Sequence, residues 1–178
     1  MKYPNVFHMI ADIFNKEKTT CVLIGGFAVN FHGVQRSTMD VDFLTTKEDF
    51  DAALGLLEKE GYKKFFENEN FAQFENNKEY ISHLDIMFVD QDVLKKIVKE
   101  GKQVNIASQD FKVPSLFHLI ALKLHAIKFD KKREYKDLMD IVDLIRNNKV
   151  DIRSAEFKNL CLKFGTEELY SRILSHLG

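Results

Sequence analysis

The sequence predicts an α+β protein with an α/β-like N-terminal half followed by a C-terminal helical bundle, and three observations carry that expectation. The apolar run Val22, Leu23, Ile24 stops at Gly25 and Gly26 and passes into the helical-looking run Phe27 to Phe31, a strand breaking into a helix. From Met39 to Leu44, Val41 and Phe43 alternate with Asp40 and Asp42, which is the period of a strand. From Ser115 onward the spacing is helical throughout, with runs at 115–129, 134–147, roughly 152–163 and 166–176.

Taken in order, residues 5–18 place Val6, Met9, Ile10, Ile13 and Phe14 at helical spacing and read as a packing helix. After the Asp-x-Asp strand, Thr46 is the expected N-cap of a second amphipathic helix carrying Phe50, Ala53, Leu54 and Leu57 and ending at Gly61. Lys63 to Glu67 and Phe71 to Asn76 read as a hairpin, with Phe65, Phe66, Phe71 and Phe74 taken as core rather than as a base-stacking platform. Tyr80 to Val89 reads as a strand in which Asp85 shares a face with Ile81, His83 and Met87. A carboxylate in an otherwise apolar strand is costly without a partner or a metal. Gln91 to Glu100 is a helix with a basic face, closed by Gly101, and Val104 to Ala107 and Phe111 to Val113 form a short extended pair. Pro114 stops the last strand and Ser115 caps the next helix, so residues 1–113 form one domain and 114–178 a helical region packed on it.

Composition narrows the function classes. The 178 residues suffice for one αβ domain with a helical appendage, and the 45% apolar and 30% charged shares are those of a soluble globular protein. No apolar run approaches the ~20 residues needed to span a membrane. The N-terminus lacks the pattern of a secretory signal, so a cytoplasmic location is expected. Cys21 and Cys161 stand far apart without Cys or His at metal spacing, which argues against a disulfide or a zinc site. A net charge of -1 argues against holding long nucleic acid by bulk electrostatics, so any such contact must come from a local patch. The candidate patch is Lys128, Lys131, Lys132, Arg133 and Lys136, between two helical segments, and a solvated helix turn explains it as well.

The chemistry concentrates between Val22 and Leu44. A strand that ends at Gly-Gly and runs into a helix leaves unpaired N–H groups with no Cβ to hold a ligand away, a geometry suited to phosphate. Asp40 and Asp42, two apart on a strand, share a face and repel unless a cation lies between them; an all-oxygen site that also takes phosphate suits Mg²⁺. The competing reading is a βα turn with a solvated acidic edge.

These two parts, in this order, resemble the signature of the nucleotidyltransferase superfamily with the polymerase-beta-like fold. The string IGGFAVNFHGVQRSTMDVDFL resembles in particular the abortive-infection AbiEii-type nucleotidyltransferases, through Arg36, Thr38, Asp40 and Asp42. The resemblance implies a mixed sheet with flanking helices, an NTP substrate and Mg²⁺ (or Mn²⁺) held by Asp40, Asp42 and Asp85. It makes Gly25, Gly26, Arg36, Ser37 and Thr38 the nucleotide-contacting residues.

The helical half adds a second signal. Leu116, Leu119, Ile120, Leu124 and Ile127 form one apolar stripe with Lys123 in its middle, and Asp137 lies on the apolar arc of the following helix beside Ile141 and Leu144. A buried lysine and a buried aspartate on consecutive helices look like a pair. Lys123, the dipeptide Lys136-Asp137 and the further Asp140 also resemble the AbiEii-type C-terminal motif, which implies catalytic roles for Lys123 and Asp137; the basic residue between them stays open among Lys131, Lys132 and Arg133. The competing reading is a structural ion pair joining the two helices. The function implied is transfer of an NMP from an NTP to the hydroxyl of an RNA (tRNA), a protein or a small molecule, in one version as a toxin with a protein antitoxin as partner. The rival from another class is a non-catalytic nucleotide-binding or interaction module on the same fold.

Overall fold

The computed structural model describes residues 3–76 and 83–178, which divide into two compact units, residues 1–28 with 37–114 and residues 29–36 with 115–178. Tyr80, Ile81 and Ser82, read above as the start of a strand, lie outside the described residues.

The first unit is built on a seven-stranded mixed sheet in the order β3-β4-β5-β2-β1-β7-β6. Its strands are β1 (Val22–Leu23), β2 (Val41–Thr45), β3 (Tyr62–Glu67), β4 (Phe71–Asn76), β5 (Leu84–Phe88), β6 (Lys102–Ile106) and β7 (Gln109–Val113). Pairing is parallel for β2 with β5 and for β1 with β7, and antiparallel elsewhere. The helices are α1 (Val6–Glu17), α2 (Gly25–Phe31), α3 (Lys47–Lys59) and α4 (Gln91–Glu100); α2 runs from the first unit into the segment 29–36.

Alternation decides which face of the sheet is core. Register puts Phe74, Leu84, Ile86, Phe88, Val41 and Phe43 on one side, all buried. Phe50 of α3 packs against Phe74 and Phe88, and Phe7 of α1 against Phe111, which in turn meets Phe43. Tilted and edge-to-face pairs of this kind add about 0.5–1.5 kcal/mol each beyond area burial. Asn5 and Thr46 cap α1 and α3 by accepting the N–H of His8 and of Asp49 at 3.1 Å, so the Thr46 cap falls where expected.

Two details differ from the sequence reading. Phe65 and Phe66 are 56% and 43% exposed, not core, because β3 is an edge strand with a register shift between Lys64 and Phe66. A bulge of this kind breaks the period on which the core assignment rested. Phe66 instead stacks on Phe71 with ring centroids 5.2 Å apart. The β6/β7 hairpin is longer than expected, since Ala107 and Ser108 supply a two-residue turn with φ of 51° and 61°, the left-handed pair that tight hairpins favour.

The second unit contains α5 (Leu116–Phe129), a single 3-10 turn Lys131–Arg133, α6 (Glu134–Asn148), α7 (Ala155–Phe164) and α8 (Glu167–Leu177). Ser115 caps α5 through the His118 N–H, and Ser154 caps α7 through the Phe157 N–H, which starts that helix three residues later than its apolar spacing suggested. Leu119, Ile120, Leu124, Ile141, Leu144, Phe157, Cys161 and Ile173 form its core. Residues 29–36 join this unit by side-chain amides: Asn147 and Asn148 each donate to the His32 carbonyl at 3.0 Å. Burial pushes the Cys161 thiol up to about 12, so it stays an unreactive thiol, and Cys21 is half-buried. Among the described residues no helix is long and apolar enough to cross a membrane.

Candidate active site

In the first unit the sheet face opposite the aromatic core carries the carboxylates. Asp42 stands directly beside Asp85 in the parallel β2/β5 pairing, and Asp85 directly beside Gln73 in the antiparallel β4/β5 pairing. The three side chains therefore form one row across the sheet, all half-buried. Gln73 Nε2 donates to both carboxylate oxygens of Asp85, at 3.2 and 3.1 Å. Its amide thereby offsets part of the repulsion that two abreast carboxylates generate.

The glycines explain how the row meets the chain that precedes it. Gly25 has φ +60°, and a Cβ there would collide with the Asp42 carboxylate; only glycine permits both the backbone angle and the close approach. A Cβ on Gly26 would lie 2.6 Å from Thr38 Oγ1. The Ile24 N–H donates to the Asp42 carbonyl at 2.9 Å, so the β1–α2 break is tied to the Asp-x-Asp strand through backbone as well. Asp40 lies one residue before β2 and is exposed; its carbonyl accepts the Thr38 hydroxyl at 3.2 Å, and Ser37 is exposed beside it. Gly25, Gly26, Thr38, Asp42 and Asp85 are thus brought together, with Asp40 and Ser37 at the rim.

Among the described residues no three His, Cys, Asp or Glu side chains converge as a ready-made metal cage. The donors present fit Mg²⁺ all the same, because that ion keeps several waters and takes one or two carboxylates plus substrate phosphates. The space that the Gly25 backbone cedes to the Asp42 carboxylate leaves hard oxygen donors beside a glycine turn.

In the second unit Lys123 and Asp137 meet as their spacing suggested, and the contact is part of a longer chain of charges. Lys123 Nζ donates to Asp137 Oδ1 at 2.8 Å and to Asp140 Oδ2 at 2.6 Å. Arg133 Nε donates to Asp137 Oδ2 at 2.9 Å, and Arg36 Nη1 to Asp140 Oδ2 at 3.0 Å. Lys123, Asp137 and Asp140 are 6%, 1% and 6% exposed. Burial raises the Asp137 carboxyl, but the charges of Lys123 and Arg133 outweigh it and hold the group below its ordinary value. Arg36 is held at its backbone too, its N–H donating to Asn30 Oδ1 and its carbonyl accepting from Asn30 Nδ2, both at 2.9 Å. Of the three basic residues left open between the helices, Arg133 is the one that joins the buried charges.

The model of a family of uncharacterised nucleotidyltransferases matches residues 5–177. The chain belongs to that family. It also shares its fold with solved structures of other proteins. The lincosamide antibiotic adenylyltransferase LnuA, in its lincomycin-bound crystal structure, is 22% identical with a TM-score of 0.54, covering 76% of this chain and 91% of its own. The antibiotic-resistance factor ANT(2'')-Ia is 15% identical with a TM-score of 0.65 over 95% of this chain and 93% of its own. The Megavirus polyadenylate synthase is 18% identical with a TM-score of 0.54, the match covering 80% of this chain and 31% of the synthase. Comparison with curated proteins finds no match.

Sequence reasoning missed Gln73, Asn30 and the place of Asp140. Gln73 is one polar residue in an alternating strand and acquires meaning only from its register opposite Asp85. Asn30 closes a local loop onto Arg36 that no periodicity marks. Asp140 had a usable signal, because it stands three residues after Asp137 on the helix and so shares its face.

Proposed function

We propose that this nucleotidyltransferase moves a nucleoside monophosphate from an NTP to an acceptor hydroxyl, with Mg²⁺ (or Mn²⁺) at Asp40, Asp42 and Asp85. The observation that carries the reading is the row Gln73, Asp85, Asp42, with the Gly25 turn pressed on the Asp42 carboxylate. The metal, when bound, neutralises triphosphate charge and lowers the pKa of the attacking hydroxyl.

Asp40, Asp42 and Asp85 would hold the metal through carboxylate oxygens. Backbone N–H groups at Gly25 and Gly26, with the Ser37 and Thr38 hydroxyls, hold the β- and γ-phosphates. Asp85, whose two oxygens Gln73 fixes as acceptors, takes the proton from the acceptor hydroxyl. The acceptor oxygen attacks the α-phosphorus, the bond to the β-phosphate oxygen breaks, and pyrophosphate leaves in line. Arg36 or Lys123 neutralises the charge that develops on the transferring phosphoryl group, and Asp137 keeps Lys123 oriented through the bond at 2.8 Å.

Two finer readings rest on different supports. The AbiEii-type pattern of Arg36, Thr38, Asp40 and Asp42 supports a cytoplasmic toxin that modifies RNA and is held by a protein antitoxin. The likeness to LnuA and ANT(2'')-Ia over most of the chain supports a small-molecule hydroxyl as acceptor. The deciding experiment incubates the protein with each labelled NTP and Mg²⁺, with cellular RNA, a lincosamide and an aminoglycoside as separate acceptors. Label transferred to one of them, and lost in Asp40→Asn/Asp42→Asn, supports the reading. Tight NTP binding with no transfer to any acceptor favours the non-catalytic module.

A further inference from the structure

The connection between α5 and α6 holds a surface that the transfer chemistry leaves unused. Phe129 and Tyr135 are 73% and 82% exposed, and the His125 ring lies 4.6 Å from that of Phe129, tilted by 42°. Lys128, Lys131, Lys132 and Lys136 are exposed in the same stretch. Asp137 is paired with Lys123 and Arg133 and Glu134 with Arg172, while Asp130, which accepts the Lys132 backbone N–H at 3.0 Å, keeps one negative charge against the four lysines. The local field is therefore positive in a chain whose net charge is -1.

We propose that this surface binds an unpaired RNA strand, its bases stacked on Phe129 and Tyr135 and its phosphates set against the lysines. Lysines alone would suit any polyanion; the rings are what narrow the partner. Every base offers a π-face, and a duplex has its faces already stacked. Unpaired bases splayed out onto aromatic side chains are the form in which RNA is most often read. An anionic membrane would call for an amphipathic helix with a broad exposed apolar face, whereas the large aliphatic residues flanking these rings, Ile127 and Leu138, are 3% and 2% exposed. Naming this strand as the acceptor of the transfer rests on the reading above; the binding does not.

The test is fluorescence anisotropy on the full chain without NTP or Mg²⁺. The probes are an RNA strand of about a dozen nucleotides, within the site sizes of such surfaces, its abasic counterpart, and an RNA duplex. Vesicles of phosphatidylcholine with phosphatidylserine are tested by co-sedimentation. The expected result is binding of the intact strand, weakened about tenfold by Phe129→Ala and again by Tyr135→Ala, with unchanged melting temperature. Lys131→Gln/Lys132→Gln/Lys136→Gln lowers the slope of log affinity against log salt by about two. Asp40→Asn/Asp42→Asn, which disables the proposed transfer, leaves RNA binding intact, so failure of either reading is seen separately. Equal affinity for the abasic strand or the duplex, or binding to the vesicles alone, overturns the proposal.

Discussion

Gly25 combines φ +60° with an Asp42 carboxylate lying where its Cβ would be. Gly25→Ala therefore meets two penalties, about 1–2 kcal/mol for a left-handed non-glycine residue and displacement of the carboxylate itself. The expected outcome is a folded protein with a melting temperature lowered by several degrees and with transfer of label lost, measured by thermal unfolding and the NTP assay. Gly55, where a Cβ meets nothing within 4 Å, is the control: Gly55→Ala on α3 should leave transfer unchanged and stabilise by up to ~1 kcal/mol. A Gly25→Ala protein as active as the parent would separate the glycine turn from the chemistry.

At the scale of elements, the α5–α6 pairing turns on Lys123. Removing one member of a buried ion pair typically costs about 3–5 kcal/mol, while replacing both by apolar groups restores most of it. Here Lys123→Met strands both Asp137 and Asp140, although Arg133 and Arg36 still reach them. In Lys123→Met/Asp137→Leu, Asp140 retains Arg36, and Arg133, whose side chain is 49% exposed, turns to water. The double variant is expected to melt within a few degrees of the parent yet to lose label transfer; a stable and fully active one would leave the network a purely structural device. On the sheet, Gln73→Leu removes the amide that orients Asp85. It should lower kcat with little change in NTP affinity, which single-turnover kinetics and calorimetry separate, and Gln73→Asn is too short to rescue it.

For the molecule as a whole, pH and ligand are the levers. The folded Asp137 carboxyl titrates below its ordinary 3.8, so its contribution to stability is fully present above the unfolded value and is lost as pH falls through the lower folded one. Urea unfolding followed by circular dichroism should accordingly show no pH dependence from Asp137 near neutrality, where its contribution is constant. Below about pH 4 the parent loses stability faster than Lys123→Met/Asp137→Leu does. Mg²⁺ and NTP together, at about a hundredfold over Kd, should stabilise the parent by ~2.7 kcal/mol. Asp40→Asn/Asp42→Asn should show no such shift, and an equal shift in both would place nucleotide binding elsewhere.

Much of this was legible in the chain because it is local. Alternation and helical spacing located the strands around the Asp-x-Asp, the caps Thr46 and Ser115 and the apolar stripe containing Lys123, since each depends on residues within a few positions of one another. The Gly-Gly break between β1 and α2 was likewise legible as residue types at fixed spacing. What only the tertiary structure decided depends on register and on contacts distant in sequence. Asp42, Asp85 and Gln73 became one row because β5 pairs parallel to β2 and antiparallel to β4, and a slip of one residue would have sent each side chain to the opposite face. Phe65 and Phe66 were misplaced for the same reason, a bulge that local periodicity cannot register. Arg36, four residues before Asp40 in the chain, bonds Asp140 across more than a hundred residues; a charge finds its partner through folding, and spacing along the chain carries no trace of that distance.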